Sequence, residues 1–304
     1  MKAQVKFSHS KMNFIRLCTI VRDKRTAIEF LQQRQILHSR RLCDNGHHME
    51  LYLGDREDRW RCNTRNCRQQ KQLKAGTWLA GSHLKYEIIV YFIYWWSKEK
   101  TTMEFCRHEL CMISPNVTVD WNNYMREVCA QVLLMHPRQI GGLGLHVEID
   151  ESLFVRRKAN VGRIPPQQWV VGGVCRENNE CFLYAVDNRS AATLKEVVEN
   201  SCLPGTIIIT DEWRGYNDIA NIPGKNFTHL TVNHTQNFVN PVNGACTNRI
   251  EGLWNIAKMK NKKRWGVHRH MIDSYLCEFM WRRRNIDEDL FEAILRDIAL
   301  CNPL

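Results

Sequence analysis

The six residues Thr206-Ile207-Ile208-Ile209-Thr210-Asp211 constrain this chain more than any other stretch. They form a short, apolar, β-branched run, the composition of a strand buried inside a sheet with both faces covered. The run stops on an acid at its C-terminal end, where open α/β sheets place their ligands. Such a strand needs neighbours. A chain of 304 residues can supply them around at least one sizeable core, with room for two or three domains.

The neighbours are legible. Leu145-His146-Val147-Glu148-Ile149-Asp150-Glu151 alternates apolar and polar residues, which predicts a half-buried strand. Leu145, Val147 and Ile149 point to a core, and His146, Glu148 and Asp150 to the other face. Strands over 169–175 and 181–186 follow, joined by the turn Arg176-Glu177-Asn178-Asn179. A helix over 191–202, the buried strand, a short helix over 213–220 and a fifth strand over 228–232 come next. After a polar loop over 233–246, residues 247–258 have helical spacing. There Asn248, Glu251, Asn255 and Lys258 share one stripe, and Ile250, Leu253, Trp254 and Ala257 cover an apolar face. This order is ribonuclease H-like, an α/β fold on a mixed five-stranded sheet with flanking helices. Its first and fourth strands lie side by side, which makes Asp150 and Asp211 neighbours.

Three acids so arranged suit a two-metal site. Two ions roughly 3.5–4 Å apart clamp the attacking and leaving oxygens of an in-line displacement at phosphorus. They need one shared carboxylate and a further oxygen ligand each, and Mg²⁺ or Mn²⁺ accepts such ligands. Asp150 is the bridging candidate, with Asp211 and Glu251 on either side. Lys258, two turns beyond Glu251, is placed to hold a phosphate as a point charge. The rival reading, solvated acids at strand ends and on a helix face, weakens when all three occur in this order.

Charge points the same way. The chain carries 43 Lys and Arg against 32 Asp and Glu, a net +11 that favours a polyanionic partner, nucleic acid before membrane. Lys258, Lys260, Lys262, Lys263, Arg264, Arg269, Arg282, Arg283 and Arg284 form a basic run with Trp265 and Trp281 interleaved. That run suits DNA backbone contact or a nuclear localisation signal, with a solvated helix face as the rival reading. The N-terminus has no signal-peptide pattern, and the apolar stretch 88–96 is far shorter than the ~20 residues that span a bilayer. Thirteen scattered cysteines indicate a reducing compartment with most thiols free.

Some of those thiols suggest zinc. Cys43 is followed by His47 and His48 and then by Cys62 and Cys67, two knuckles separated by about one hairpin. The first knuckle lacks a second Cys, and either His47 or His48 can replace it; core cysteines are the rival reading. Arg56, Arg59, Arg61, Arg65, Arg68, Lys71 and Lys74 crowd this module and suit DNA. Residues 83–135 read as a helical bundle with a helix-turn-helix-like pair, whose second helix would present Thr118, Asn122, Asn123 and Arg126; a connecting bundle that touches no DNA is the rival reading. The expected domains are a helical lead-in over 1–40, a zinc-ribbon-like module over 41–80, the helical region over 81–140, a catalytic core over 141–270 and C-terminal helices over 271–304.

At the acids the sequence resembles a known family. Val147-Glu148-Ile149-Asp150-Glu151-Ser152, Ile209-Thr210-Asp211-Glu212-Trp213-Arg214-Gly215-Tyr216 and Thr247-Asn248-Arg249-Ile250-Glu251-Gly252-Leu253-Trp254 are similar to the three catalytic blocks of the ISXO2-like transposases. That group holds bacterial insertion-sequence elements and the eukaryotic Merlin transposons, and the Merlin type is the nearer description. Tyr275-Leu276-Cys277-Glu278-Phe279-Met280-Trp281-Arg282-Arg283 resembles the family's C-terminal helix, and the N-terminal module its zinc ribbon. The resemblance implies a DDE reaction: hydrolysis at a terminal inverted repeat, then attack of the freed 3′-hydroxyl on target DNA. It implies a triad of Asp150, Asp211 and Glu251 followed by the basic Lys258, and a synaptic homodimer or higher assembly. Some relatives carry an Asn in the third block, which keeps Asn248 as a lesser candidate. The chain departs from the family at the first knuckle, where one Cys is missing. Two rivals are a domesticated DNA-binding protein without catalysis and a ribonuclease H-like nuclease that cleaves without joining.

Overall fold

The computed structural model describes residues 12–55, 57–155, 167–232, 245–263 and 268–304. The chain forms two compact units, Met1–Val132 with Asn285–Leu304, and Leu133–Arg284.

In the first unit, helices α1 (Phe14–Ile20) and α2 (Lys24–Gln33) come first. Asp23 starts α2 as its sequence predicts: its carboxylate accepts from the Thr26 N–H at 2.9 Å, and the Thr26 hydroxyl accepts from the Asp23 N–H at 3.0 Å. Strands β1 (Met49–Leu53), β2 (Asp58–Cys62) and β3 (Gln70–Gln72) make an antiparallel sheet in that order. Helices α3 (Tyr86–Ser97), α4 (Met103–Glu109) and α5 (Pro115–Met135) follow, with Pro115 at the first helical position, where its missing N–H costs nothing. An all-round apolar helix must be buried. Accordingly, α3 is packed by α2 and by the C-terminal helix Leu290–Cys301, with Ile89, Val90, Phe92 and Ile93 fully enclosed.

The second unit is built on strands β4 (His146–Val155), β5 (Gln168–Cys175), β6 (Cys181–Val186), β7 (Ile207–Asp211) and β8 (Thr228–Val232). Their order is β6-β5-β4-β7-β8. β4 runs antiparallel to β5 and parallel to β7, and β7 runs parallel to β8. Counted in chain order this is 3-2-1-4-5, the ribonuclease H-like arrangement. Helices α6 (Ala191–Ser201), α7 (Asn248–Lys263) and α8 (Ile272–Arg284) complete it. On one face Val147, Ile149 and Ile208 pack with Leu194, Val198 and Tyr216. On the other, Val170, Val174 and Leu183 pack with Ile250, Leu253 and Trp254 of α7 and Leu276 and Phe279 of α8.

Two expectations change. β4 is not half-buried, because α7 covers the face expected to meet water and Glu148 is wholly enclosed. Residues 213–220 are not one short helix but two 3-10 turns, Arg214–Tyr216 and Ile219–Asn221. Gly215 disfavours helix, and the Asp211 carboxylate takes the Trp213 N–H at 3.0 Å. The close seat of α7 also explains Gly172 of β5: a Cβ there would lie 2.6 Å from the Trp254 ring. Among the described residues, no helix is long and apolar enough to cross a membrane.

Candidate active site and a Cys/His metal group

β4 and β7 pair in one fixed register: His146 faces Ile207, Val147 faces Ile208 and Glu148 faces Ile209. Carried two residues further, that register brings Asp150 level with Asp211, which ends β7 at the C-terminal edge. Glu251 stands in the first turn of α7, and one turn later the Trp254 indole donates to Asp150 Oδ2 at 2.9 Å. Burial raises the Asp150 pKa above the usual carboxyl range. The Glu151 N–H and the Trp254 indole hold it down, and the charges of Asp211 and Glu251 push it up. Asp150 therefore feels both other acids, although the three come from three elements. Asn248, the lesser candidate, is the exposed first residue of α7. Lys258 Nζ lies 5.9 Å from the Phe154 ring centroid, and Phe154 meets Trp254 edge-on at 5.7 Å.

The opposite face of β4 holds groups that the sequence did not single out. Glu151 is pushed up to about 7, first by burial and then by the charges of Asp150 and Asp211. The buried Tyr216 hydroxyl lies near it and, with Arg189, holds the carboxyl down in part. The Arg189 guanidinium lies 4.1 Å from the Trp213 ring and 4.6 Å from that of Trp169. The adjoining Asp-Glu pairs at 150–151 and 211–212 were visible in the sequence; the enclosure of Glu151 was not.

In the ribbon, the candidate zinc residues converge. The donor atoms of Cys43, His47, Cys62 and Cys67 all lie within 4.8 Å of one another. Cys43 Sγ is 3.4 Å from His47 Nδ1, Cys62 Sγ 3.7 Å from the same nitrogen, and Cys67 Sγ 3.6 Å from Cys43 Sγ. A tetrahedral zinc with bonds of ~2.3 Å needs edges of roughly 3.8 Å, so these residues fit a zinc-ribbon-like module. The structure chooses His47; His48 is exposed and bridges Leu42 through its backbone. Thr64, through its hydroxyl and then its N–H, with help from Cys67 and His47, holds the Cys62 thiol down at about 6. The Cys67 thiol is pushed the other way: burial and the Cys62 and Cys43 sulfurs outweigh the Gln69 N–H. Among the described residues this is the one such tight group, and the three acids do not close so far. All thirteen cysteines are free of disulfides.

The expected DNA contacts divide. Arg61 is half-buried with its guanidinium 5.6 Å from the Tyr52 ring, and Arg65 is exposed. Lys262 is exposed, and Lys260 is half-buried near the Phe279 ring. Arg56, Arg264, Trp265 and the side chain of Lys263 lie outside the described residues. Arg126 is corrected: it is 5% exposed and donates to Asn123, and Thr118 of the same helix is 2% exposed. Spacing alone mistook a packed face of α5 for a reading face. Arg282 is likewise buried, paired with Glu278 at 2.8 Å, and Trp281 is wholly enclosed.

The sheet order is ribonuclease H-like, and Asp150, Asp211 and Glu251 stand on β4, β7 and α7 around it. Residues 142–284 match the ISXO2-like transposase domain. An uncharacterized transposase-like protein of Haemophilus influenzae is 30% identical over 122 residues, which are 40% of this chain and 95% of that one. The chain belongs to the ISXO2-like transposase family. Solved structures give distant likenesses, both at 12% identity over 48% of the chain. One is a chain of the simian T-cell lymphotropic virus intasome bound to a phosphatase regulatory subunit, half of whose length is spanned, at a TM-score of 0.34. The other is the HTLV-2 integrase catalytic core in complex with magnesium, 87% spanned, at 0.29. Neither is near enough to bear on the chemistry.

Proposed function

We propose that this chain is a Merlin-type DDE transposase that cuts double-stranded DNA at its transposon's terminal inverted repeats and joins the ends to target DNA. The observation that carries this reading is the β4–β7 register that sets Asp150 beside Asp211, with Trp254, three residues after Glu251, bonded to Asp150. Asp150, Asp211 and Glu251 would hold the divalent metal. Bound Mg²⁺ or Mn²⁺ supplies Lewis acidity and an activated water. Trp254 orients Asp150 and favours its ionised form. In the first step water attacks the phosphorus, the bond to the 3′ oxygen breaks, and that oxygen leaves as a hydroxyl with a proton from the water. In the second, this hydroxyl attacks a target phosphorus, the target's own 3′ oxygen leaves, and the hydroxyl proton passes to it. Lys258 holds a phosphate during both.

Zinc in the Cys43, His47, Cys62 and Cys67 group fixes the ribbon, which contacts the terminal repeat through Arg61 and Arg65. Lys260, Lys262, Lys263 and Arg264 grip the backbone, and the same basic run serves nuclear entry. Two copies or more assemble to pair the ends. The test is incubation of the purified protein with its own terminal-repeat DNA, a target plasmid and Mg²⁺ or Mn²⁺. Nicking and joining, both lost in Asp150→Asn, support the reading. Binding with neither product would instead favour a domesticated DNA-binding protein, and nicking without joining a nuclease.

A further inference from the structure

Glu148 stands two residues before Asp150 on the same face of β4, with no exposure to solvent. An enclosed carboxylate is costly unless its oxygens are satisfied. Those of Glu148 are taken by α7 and the β5–β6 turn. Oε2 accepts from the backbone N–H groups of Arg249 at 2.8 Å and Ile250 at 3.1 Å. Both belong to the first turn of α7, whose N–H groups have no partner within the helix and whose dipole favours an anion. Oε1 accepts from Arg176 Nε at 2.6 Å, and Arg176 also donates to the Cys246 carbonyl at 2.7 Å, two residues ahead of α7. A strand residue 101 positions upstream thus caps the helix.

We propose that Glu148 is a positioning residue for the third acid. α7 is fastened to β4 at two points on one strand face: its N-terminus to Glu148, and Trp254 to Asp150. Glu251 lies between the two fastenings, one residue beyond Ile250 and three before Trp254. The separation of Glu251 from Asp150 is therefore set by the Glu148 clasp, and a loosened clasp widens the metal site without removing a ligand. The inference rests on the reading of Glu251 as a metal ligand.

Mn²⁺ titration of the full-length, zinc-replete protein tests it, because Mn²⁺ takes oxygen in preference to thiolate. The variants are Glu148→Gln, Glu251→Gln and the double substitution, each checked for fold by circular dichroism. Glu148→Gln keeps the shape but cannot accept from all of these donors, and should weaken Mn²⁺ binding on the order of 10–100-fold, the usual effect of an outer-shell partner. In the Glu251→Gln background the same change should add little, since its effect passes through Glu251. Wild-type Mn²⁺ affinity in folded Glu148→Gln, or losses that add in full, would overturn the inference alone. Wild-type affinity in Glu251→Gln would instead sink the metal-ligand reading on which it rests. Should Glu148→Gln fail to fold, Arg176→Lys, which keeps the charge but not the fork to Glu148 and Cys246, is read in the same titration. It should show a smaller loss of the same kind, and wild-type affinity there overturns the proposal.

Discussion

The four donors of the Cys/His group come from one short span between Cys43 and Cys67 and already stand at tetrahedral separations. The three acids come from β4, β7 and α7, more than 100 positions apart end to end, and remain more open. Thiols and an imidazole crowd together at little electrostatic cost, because they need not all be charged: Cys62 is drawn toward thiolate while Cys67 is held as the thiol. Three carboxylates cannot. Their charges oppose one another, and the raised Asp150 pKa records part of that opposition. A closed soft site is thus part of how its module folds, whereas an open hard site is a load that the sheet carries. Removing metal or charge should therefore act oppositely on the two.

The largest effect is expected at the ribbon. Structural zinc contributes on the order of 10 kcal/mol of folding free energy in small zinc modules. Chelation, or Cys62→Ser, should release bound zinc, unfold β1 to β3 and abolish terminal-repeat binding, while the β4–β8 sheet stays folded. Zinc analysis with hydrogen exchange across the two units checks this. A ribbon that keeps its protection without metal would remove the contrast.

Next comes the acid site. Asp150→Asn or Asp211→Asn should lower nicking on the order of a thousandfold, because metal-held transition-state charge is worth several kcal/mol. DNA affinity should change little, since the basic surface is untouched. Without metal, each variant should be as stable as the wild type or more so, because one like charge has gone. Steady-state nicking, filter binding and urea unfolding separate the three statements. Retained nicking in either variant removes that residue from the site.

The contrast also explains what the sequence revealed. Asp150 and Asp211 could be paired on paper because strand order and a 61-position register survive into the sheet unchanged. The ribbon was legible because its ligands are local, with only the choice of His47 over His48 awaiting coordinates. Glu148 was misplaced on a solvent face because alternation along β4 says nothing of what α7 brings to it. Arg126 failed for a related reason: α5 has polar residues on packed sides, and helical spacing cannot tell a buried Arg from a reading one. Tertiary cover, not local pattern, decided both.

A subtler test lies in Trp254. Trp254→Phe keeps most of the ring packed against Gly172 but removes the donor to Asp150. A hydrogen bond to a charged group contributes about 1.5–3 kcal/mol. Because that bond holds the Asp150 pKa down, its loss raises the pKa further. Mn²⁺ binding should then need a higher pH, with the midpoint displaced upward. An unmoved midpoint would mean that the indole only packs.

The smallest expected effect belongs to Glu151, and its sign distinguishes an acid load from a stabilising network. Burial and the neighbouring acids raise this carboxyl from the ordinary 4.5 to about 7 in the folded chain. The folded state thus binds the proton more tightly than the unfolded one. Its contribution to stability is fully present below about 4.5 and is lost as pH rises through about 7. Without added magnesium or manganese, the urea midpoint of the wild type should fall across that interval, and that of Glu151→Gln should fall less. Parallel curves for the two proteins would show that Glu151 titrates at its ordinary value, and that the load on this edge of the sheet rests on Asp150 alone.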